Sequence, residues 1–289
     1  MGQEGGCGCG TAAFGARRIG TAAVDRGRKR MRQVAAGCGL LALLAAASAG
    51  AMQDASVAAD PVLSAPVESL RPEQVRALQA RLADWPQLER YRADNAVLPS
   101  PVEGERRVVF YGDSITDGWG RVPGTTFFPG QPYVNRGISG QTTAQMLVRF
   151  RQDVIDLEPD AVVILAGTND IAGNTGVATQ AMIEDNLRSM TELAQAHGIR
   201  VVLASVLPVS DYPWRPGLRP AAKVQRLNEW IADYAQRSGA VYLDYWSALA
   251  NAQGGLDADL APDGVHPSPA GYAVMAPLAR QAIDRALAQ

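Results

Sequence analysis

The sequence predicts an α/β fold, a three-layer α/β/α sandwich around a doubly wound, five-stranded parallel sheet. Short apolar runs bounded by turn residues recur at 107–111, 133–135, 161–166, 200–206 and 240–243, the second of them weak. Stretches of helical period fill the gaps at 142–157, 180–197, 218–238 and 268–288. Strands that alternate with helices of that length imply a parallel sheet covered on both faces. Size agrees: of 289 residues, the 238 that follow position 51 suit one domain. A chain that long buries roughly 70% of its unfolded surface on folding, so its core needs no staples.

Taken in order, the first 51 residues stand apart from the fold. Arg26, Arg28, Lys29, Arg30 and Arg32 precede an apolar stretch over 34–47, and Ala49-Gly50-Ala51 fits the small-x-small pattern of a signal-peptidase site. A membrane helix needs about 20 apolar residues, more than this stretch supplies. The segment therefore reads as a cleaved export signal, which places the protein in the periplasm or outside the cell with no stable membrane span after signal removal. Met31 offers a more ordinary start, and residues 1–30 read as an upstream extension or a mis-called start. A lipoprotein anchor at Cys38 fits poorly, because that cysteine precedes most of the apolar run instead of ending it.

Cys7, Cys9 and Cys38 are the only cysteines, so the chain beyond residue 51 has no thiol and no disulfide. Residues 1–51 hold seven of the 27 basic and two of the 29 acidic side chains, which leaves 20 against 27 and a net charge of −7. That balance argues against nucleic acid or anionic lipid as the partner, since both demand a basic face.

Residues 54–66 are small, polar and Pro-containing, which reads as a linker. Over 71–95 the spacing is helical, with Val75, Leu78, Leu82 and Trp85 at intervals of three and four and a break near Pro86. The expected organisation is 1–51 extension and signal, 52–104 linker and helical segment, and 105–289 main domain. In open α/β sheets ligands collect outside the carboxyl ends of the strands. The residues there are Gly112-Asp113-Ser114, Gly137-Ile138-Ser139-Gly140, Gly167-Thr168-Asn169-Asp170, a Pro- and Trp-bearing loop over 208–220, and Asp263-Gly264-Val265-His266 before the last helix.

The chain has two histidines, so a search for a catalytic base is short. His197, in Ala196-His197-Gly198 at a helix end, fits a structural role beside a glycine cap. His266 lies in a rim loop, three residues after Asp263. Ser114 taken alone could be an ordinary helix N-cap, as could Asp113. Together, a rim hydroxyl, one available imidazole and an acid on the same turn form the set that acyl transfer requires: a nucleophile, a base, and a carboxylate that holds the base in one tautomer. The accompanying oxyanion hole has three candidate donors, the backbone N–H groups of Ser114 and Gly140 and the side-chain amide of Asn169. Taken singly, Gly140 also fits a tight turn and Asn169 an Asx-turn.

The run Gly112-Asp113-Ser114-Ile115-Thr116 resembles the first block of the SGNH hydrolases, also called GDSL lipases/esterases, with Ile115 in the usual Leu place. Gly140 within Asn135-Arg136-Gly137-Ile138-Ser139-Gly140-Gln141-Thr142 is similar to the second block, Gly167-Thr168-Asn169-Asp170 to the third, and Asp263-Gly264-Val265-His266-Pro267 to the fifth. The resemblance spans about 106–287. It implies a flavodoxin-like sandwich, Ser114 as nucleophile, His266 as base, Asp263 as its orienting acid, and Ser114, Gly140 and Asn169 as oxyanion donors. It implies no metal or organic cofactor, and it assigns nothing to the helical segment before Arg106.

Other readings use some of the same residues. Asp113, Asn169, Asp170, Asp263 and His266 could ligate metals in a phosphoesterase, although such sites usually recruit several histidines. A silent sugar-binding module predicts a substituted catalytic position, which this sequence lacks. An α/β-hydrolase requires G-x-S-x-G around the nucleophile, which is absent. For the substrate, Trp119, Tyr212 and Trp214 follow strands and are expected to line the site, and Phe127 and Phe128 lie nearby. With no long apolar lid, short acyl esters of carbohydrates, small or polymeric, are the expected substrates. Lysophospholipids, aryl esters and thioesters are the alternatives that the resemblance keeps open.

Overall fold

The computed structural model describes Val62 and residues 65–289. The extension and export signal expected over 1–51 lie outside the described residues, as does most of the 54–66 linker. Five strands, β1 (Val108–Gly112), β2 (Tyr133–Gly137), β3 (Ala161–Leu165), β4 (Arg200–Ala204) and β5 (Val241–Leu243), form one sheet in the order β2-β1-β3-β4-β5. Every pairing is parallel, and Gly112 stands level with Gly137 on one side and Leu165 on the other. Three strands thus end on one line, and the loops that leave them share one rim.

Alternation along each strand sends side chains to two cores. Val109, Tyr111, Val162, Ile164, Val201 and Leu203 face helices α4 (Thr143–Asp153), α6 (Gln180–Ala196) and α7 (Ala221–Ser238). Val108, Phe110, Val163, Val202 and Leu243 face α9 (Pro269–Leu287) through Tyr272, Met275, Ala279 and Ile283. The three layers expected from periodicity are present. Four shorter helices are α2 (Arg92–Val97), α3 (Ser114–Gly118), α5 (Thr168–Ala172) and α8 (Trp246–Leu249).

Strand β2 runs two residues beyond its expected end because its polar residues find tertiary partners. Asn135 Nδ2 donates to the Thr116 carbonyl at 2.6 Å, and Arg136 Nε donates to Asn95 Oδ1 at 2.8 Å. Helix α1 (Pro72–Ala83) opens with Pro at its first position and a Gln74 side chain that accepts from the Arg71 amide. The expected break near Pro86 is a turn in which the Asp84 carboxylate accepts the Leu88 and Glu89 amides at 2.8 and 3.0 Å. That turn is fastened to the sandwich by Gln141, Gln145 and Gln152, whose side-chain amides donate to the carbonyls of Pro86, Trp85 and Leu88.

Beneath the rim lies a fully buried ion pair, Arg149 with Asp153 at 3.1 Å. The guanidinium also donates to Gln141 Oε1 and to the carbonyls of Arg136 and Gly112, and it lies over the Tyr111 ring. Asp153 receives a second donor from Asn95 Nδ2 at 2.7 Å. With each guanidinium nitrogen and each carboxylate oxygen hydrogen-bonded, the charges tolerate burial.

Candidate active site

Ser114 opens α3 directly after β1, and Asp113 caps that helix by accepting the Ile115 amide at 3.0 Å. The cap leaves the serine hydroxyl turned toward the last loop, where Ser114 Oγ and His266 Nε2 stand 2.9 Å apart. The other ring nitrogen, His266 Nδ1, lies 2.6 Å from Asp263 Oδ2. The remaining oxygen, Asp263 Oδ1, accepts the amides of Val265 and His266 at 2.9 and 2.7 Å, which fixes the turn. Burial pushes the Asp263 carboxyl up, but the hydrogen bonds from the His266 ring and from the two amides outweigh it and hold the group below its ordinary value. The side chains of His266 and Asp263 are 39% and 43% exposed, so the imidazole opens onto solvent.

Gly140 sits at φ +80°, and a Cβ there would meet nothing within 4 Å. Its glycine is required by the left-handed backbone, not by crowding within the protein. The loop is tied to α3 through Ser139 Oγ, which donates to Asp117 Oδ2 at 2.7 Å. Asn169, in α5, is buried; its Nδ2 donates to the Gln141 carbonyl at 3.0 Å and makes a longer contact of 3.3 Å with Asp113 Oδ2. Asp170, a candidate metal ligand by sequence, instead accepts the Thr143 amide and hydroxyl at the start of α4. Among the described residues, no three His, Cys, Asp or Glu side chains gather where they could hold a metal ion.

Two buried carboxyls flank the site. Burial pushes Asp113 up to about 7, against the hydrogen bond from the Ile115 amide and the nearby His266, and with help from Asp170. Burial likewise pushes Asp170 up to about 6, against the hydrogen bonds from Thr143.

The expected aromatic lining needs correction. Trp119 is 4% exposed and Tyr212 fully buried, so neither has a ring face left for a substrate. Trp119 packs among Phe110, Phe128 and Tyr272 in the core beneath α9. Tyr212 meets Thr168 Oγ1 through its hydroxyl at 3.0 Å and supports Trp214 from below at 5.0 Å between rings. Trp214, 39% exposed, stands 6.0 Å from the His266 ring. Asn174 was not singled out from the sequence: it lies between Trp214 and Asn169 and bonds to both. A cavity of about 420 Å³ adjoins Gly140 and Ser139, walled on its far side by Arg81, Asp84 and Trp85 of the N-terminal segment.

A family model described as GDSL-like Lipase/Acylhydrolase matches residues 110–274, more than half of the chain. The crystal structure of a GDSL-like lipase from Bacteroides thetaiotaomicron is 44% identical, with a TM-score of 0.67 over 70% of this chain and 99% of that one. The uncharacterized lipoprotein YqeF of Bacillus subtilis is 27% identical over 212 residues, 60% of this chain and 87% of that protein. An acetylxylan esterase of Geobacillus stearothermophilus is 26% identical over 200 residues, 59% of this chain and 90% of its own. The chain belongs to the GDSL-like lipase/acylhydrolase family and is a carboxylic ester hydrolase.

Proposed function

We propose that this hydrolase is exported and removes short acyl groups, acetyl foremost, from carbohydrate esters, with Ser114 as nucleophile, His266 as base and Asp263 as the acid that orients it. The observation that carries the assignment is the continuous chain from Ser114 Oγ to His266 Nε2 at 2.9 Å and from His266 Nδ1 to Asp263 Oδ2 at 2.6 Å. Ser114 Oγ attacks the ester carbonyl carbon while its proton passes to His266 Nε2, and the carbonyl oxygen becomes an oxyanion. The Ser114 and Gly140 amides and Asn169 Nδ2 receive that charge, the N–H of Asn169 nearer Asp113 being the more weakly engaged of its two. Collapse expels the alcohol, which takes the proton from His266. Water then attacks the acyl-enzyme with His266 again as base, releasing the acid and restoring Ser114.

The alcohol must leave within reach of His266, on the side where Trp214 stands with its ring 39% exposed. The electron-rich face of an indole suits the C–H face of a sugar. The likeness to an acetylxylan esterase supports the same substrate class. Export rests on the basic and apolar pattern over 26–51 and on the likeness to a protein named as a lipoprotein. A second reading, an acylhydrolase for longer chains, is favoured by an apolar cleft of about 350 Å³ along Val67, Leu70, Leu78, Leu82 and Trp85, which shares Arg81, Trp85 and Thr175 with the cavity beside Gly140.

A hydrolysis panel separates the readings: p-nitrophenyl esters from acetyl to dodecanoyl, beside acetylated xylooligosaccharides. The expected result is highest kcat/KM on acetyl esters, release of acetate from the oligosaccharide, and loss of both activities in Ser114→Ala. Preference for octanoyl or longer chains transfers the assignment to the second reading, and activity that survives in Ser114→Ala removes the serine mechanism.

A further inference from the structure

We infer that Asn174 is a positioning residue of the oxyanion hole, fixing which way the Asn169 carboxamide points and bracing the Gly140 peptide from the same side chain. The inference rests on the esterase reading above. A terminal carboxamide can sit in either of two orientations, and only one presents Asn169 Nδ2 to a developing oxyanion. Two groups at the site are unambiguous, because an indole N–H can only donate and a backbone carbonyl can only accept.

Trp214 Nε1 donates to Asn174 Oδ1 at 3.1 Å. That contact forces the other end of the Asn174 amide, Nδ2, toward Asn169, whose Oδ1 accepts it at 2.7 Å. Asn169 Nδ2 is thereby turned to the Gln141 carbonyl at 3.0 Å and to Asp113 Oδ2 at 3.3 Å. Were Asn169 reversed, its oxygen would face the Gln141 carbonyl, which can only accept, and its NH2 the NH2 of Asn174. The second N–H of Asn174 contacts the Gly140 carbonyl at 3.3 Å. The brace is itself held at the backbone, since the Asn174 amide donates to the Asn169 carbonyl at 3.0 Å and Arg81 donates to the Asn174 carbonyl at 3.2 Å. One side chain therefore links the wall beside His266 to the Asn169 carboxamide and to the carbonyl of Gly140.

The test compares Asn174→Ala, Asn174→Asp and Trp214→Phe with the parent protein on p-nitrophenyl acetate, together with the Ki of an alkylboronic acid that forms a tetrahedral adduct on serine. Loss of one oxyanion donor costs about 10²–10³ in kcat, and misdirecting one is expected to cost about 10- to 100-fold. The expected pattern is that loss in kcat with KM nearly unchanged and a parallel rise in the boronate Ki. Asn174→Asp should fall at least as far as Asn174→Ala, because its carboxylate would face Asn169 Oδ1 and the Gly140 carbonyl. Trp214→Phe, which keeps an aromatic ring but not the N–H, should show a smaller loss in kcat. A purely structural role lowers Tm and leaves the kcat of the folded molecules and the boronate Ki where they were. The inference is overturned alone if Ser114→Ala is inactive while both Asn174 variants keep kcat within about twofold, or lose only KM or Tm. Activity that survives in Ser114→Ala overturns the esterase reading and this inference with it.

Discussion

Gly137→Ala tests how Ser114 is held in place. A Cβ at Gly137 would sit 2.1 Å from the Asp117 amide nitrogen, 2.6 Å from the Thr116 carbonyl carbon and 2.8 Å from the Asp117 Cα. All three are backbone atoms of α3, the helix that Ser114 opens, and ordinary contact begins at 3.4 Å. To admit the methyl group, α3 must retreat from β2 by about 1 Å, since an interior packed at crystal density has no slack to absorb it. The retreat is resisted by the Asn135 side chain, which bonds both the Thr116 carbonyl and the Gly137 amide. Overpacking of this kind costs about 1–3 kcal/mol of stability. A 1 Å shift also lengthens the 2.9 Å contact between Ser114 and His266 beyond hydrogen-bonding range, and displacement of that size costs about 10² in rate. The measurement is kcat/KM on p-nitrophenyl acetate beside Tm, both expected to fall. A variant with parental Tm and parental activity would show that α3 is not seated against Gly137, and the reasoning would fail.

Two further outcomes follow from buried charge. A carboxyl whose pKa is raised on folding keeps its proton in the native state while the unfolded chain has released it, so stability falls as pH rises between the two values. For Asp113 that window runs from the ordinary 3.8 to about 7, roughly three units or about 4 kcal/mol. Asp113→Asn should flatten this loss in denaturant midpoints measured at pH 5 and pH 8, leaving the smaller share due to Asp170, and an unchanged pH dependence refutes it. Arg149→Met strands Asp153, fully buried in the native protein, and should lower the unfolding free energy by about 3–5 kcal/mol. A loss below about 1 kcal/mol, the scale of an exposed pair, would contradict the burial argument.

Much of this was legible because the sequence states some things locally. The strands β1, β3 and β4 are runs of Val, Ile, Leu and Phe that only a sheet buried on both faces accommodates. The proposed triad was narrowed by scarcity, since a chain with two histidines offers few bases, and Asp263 lies within one turn of His266. Strand β2 was less legible, because its Asn135 and Arg136 are made inward-compatible by Thr116 and Asn95, residues remote in sequence. Trp119 and Tyr212 follow strands, as rim residues do, yet whether a ring faces solvent depends on neighbours such as Tyr272 and Thr168 that no local pattern names. Arg149 and Asp153 have the i, i+4 spacing of a solvent-exposed pair, and only the carbonyls that converge on the guanidinium reveal it as interior. Asn174 was invisible for the same reason: its meaning comes from Trp214, 40 residues later.

The N-terminal segment lies outside the 110–274 family match, but its contacts reach the proposed oxyanion hole by a short route. Gln141 donates its side-chain amide to the Pro86 carbonyl, accepts Arg149 Nε on its side-chain oxygen, and offers its own backbone carbonyl to Asn169 Nδ2. Gln145 and Gln152 hold the neighbouring carbonyls of Trp85 and Leu88, and the Tyr91 hydroxyl donates to the Gly137 carbonyl. Each such bond contributes only about 0.5–1.5 kcal/mol net, so none alone decides the fold. Their common effect is geometric. They fasten the end of β2, Gln141 and one face of α4 to the N-terminal segment, beside Gly140, whose carbonyl meets Asn174 Nδ2 at 3.3 Å. A serine and a histidine on a rim become competent only when the charge they create has a fixed place to go, and residues 84–91 bear on the proposed place through Gln141, which holds both the Pro86 carbonyl and Asn169 Nδ2.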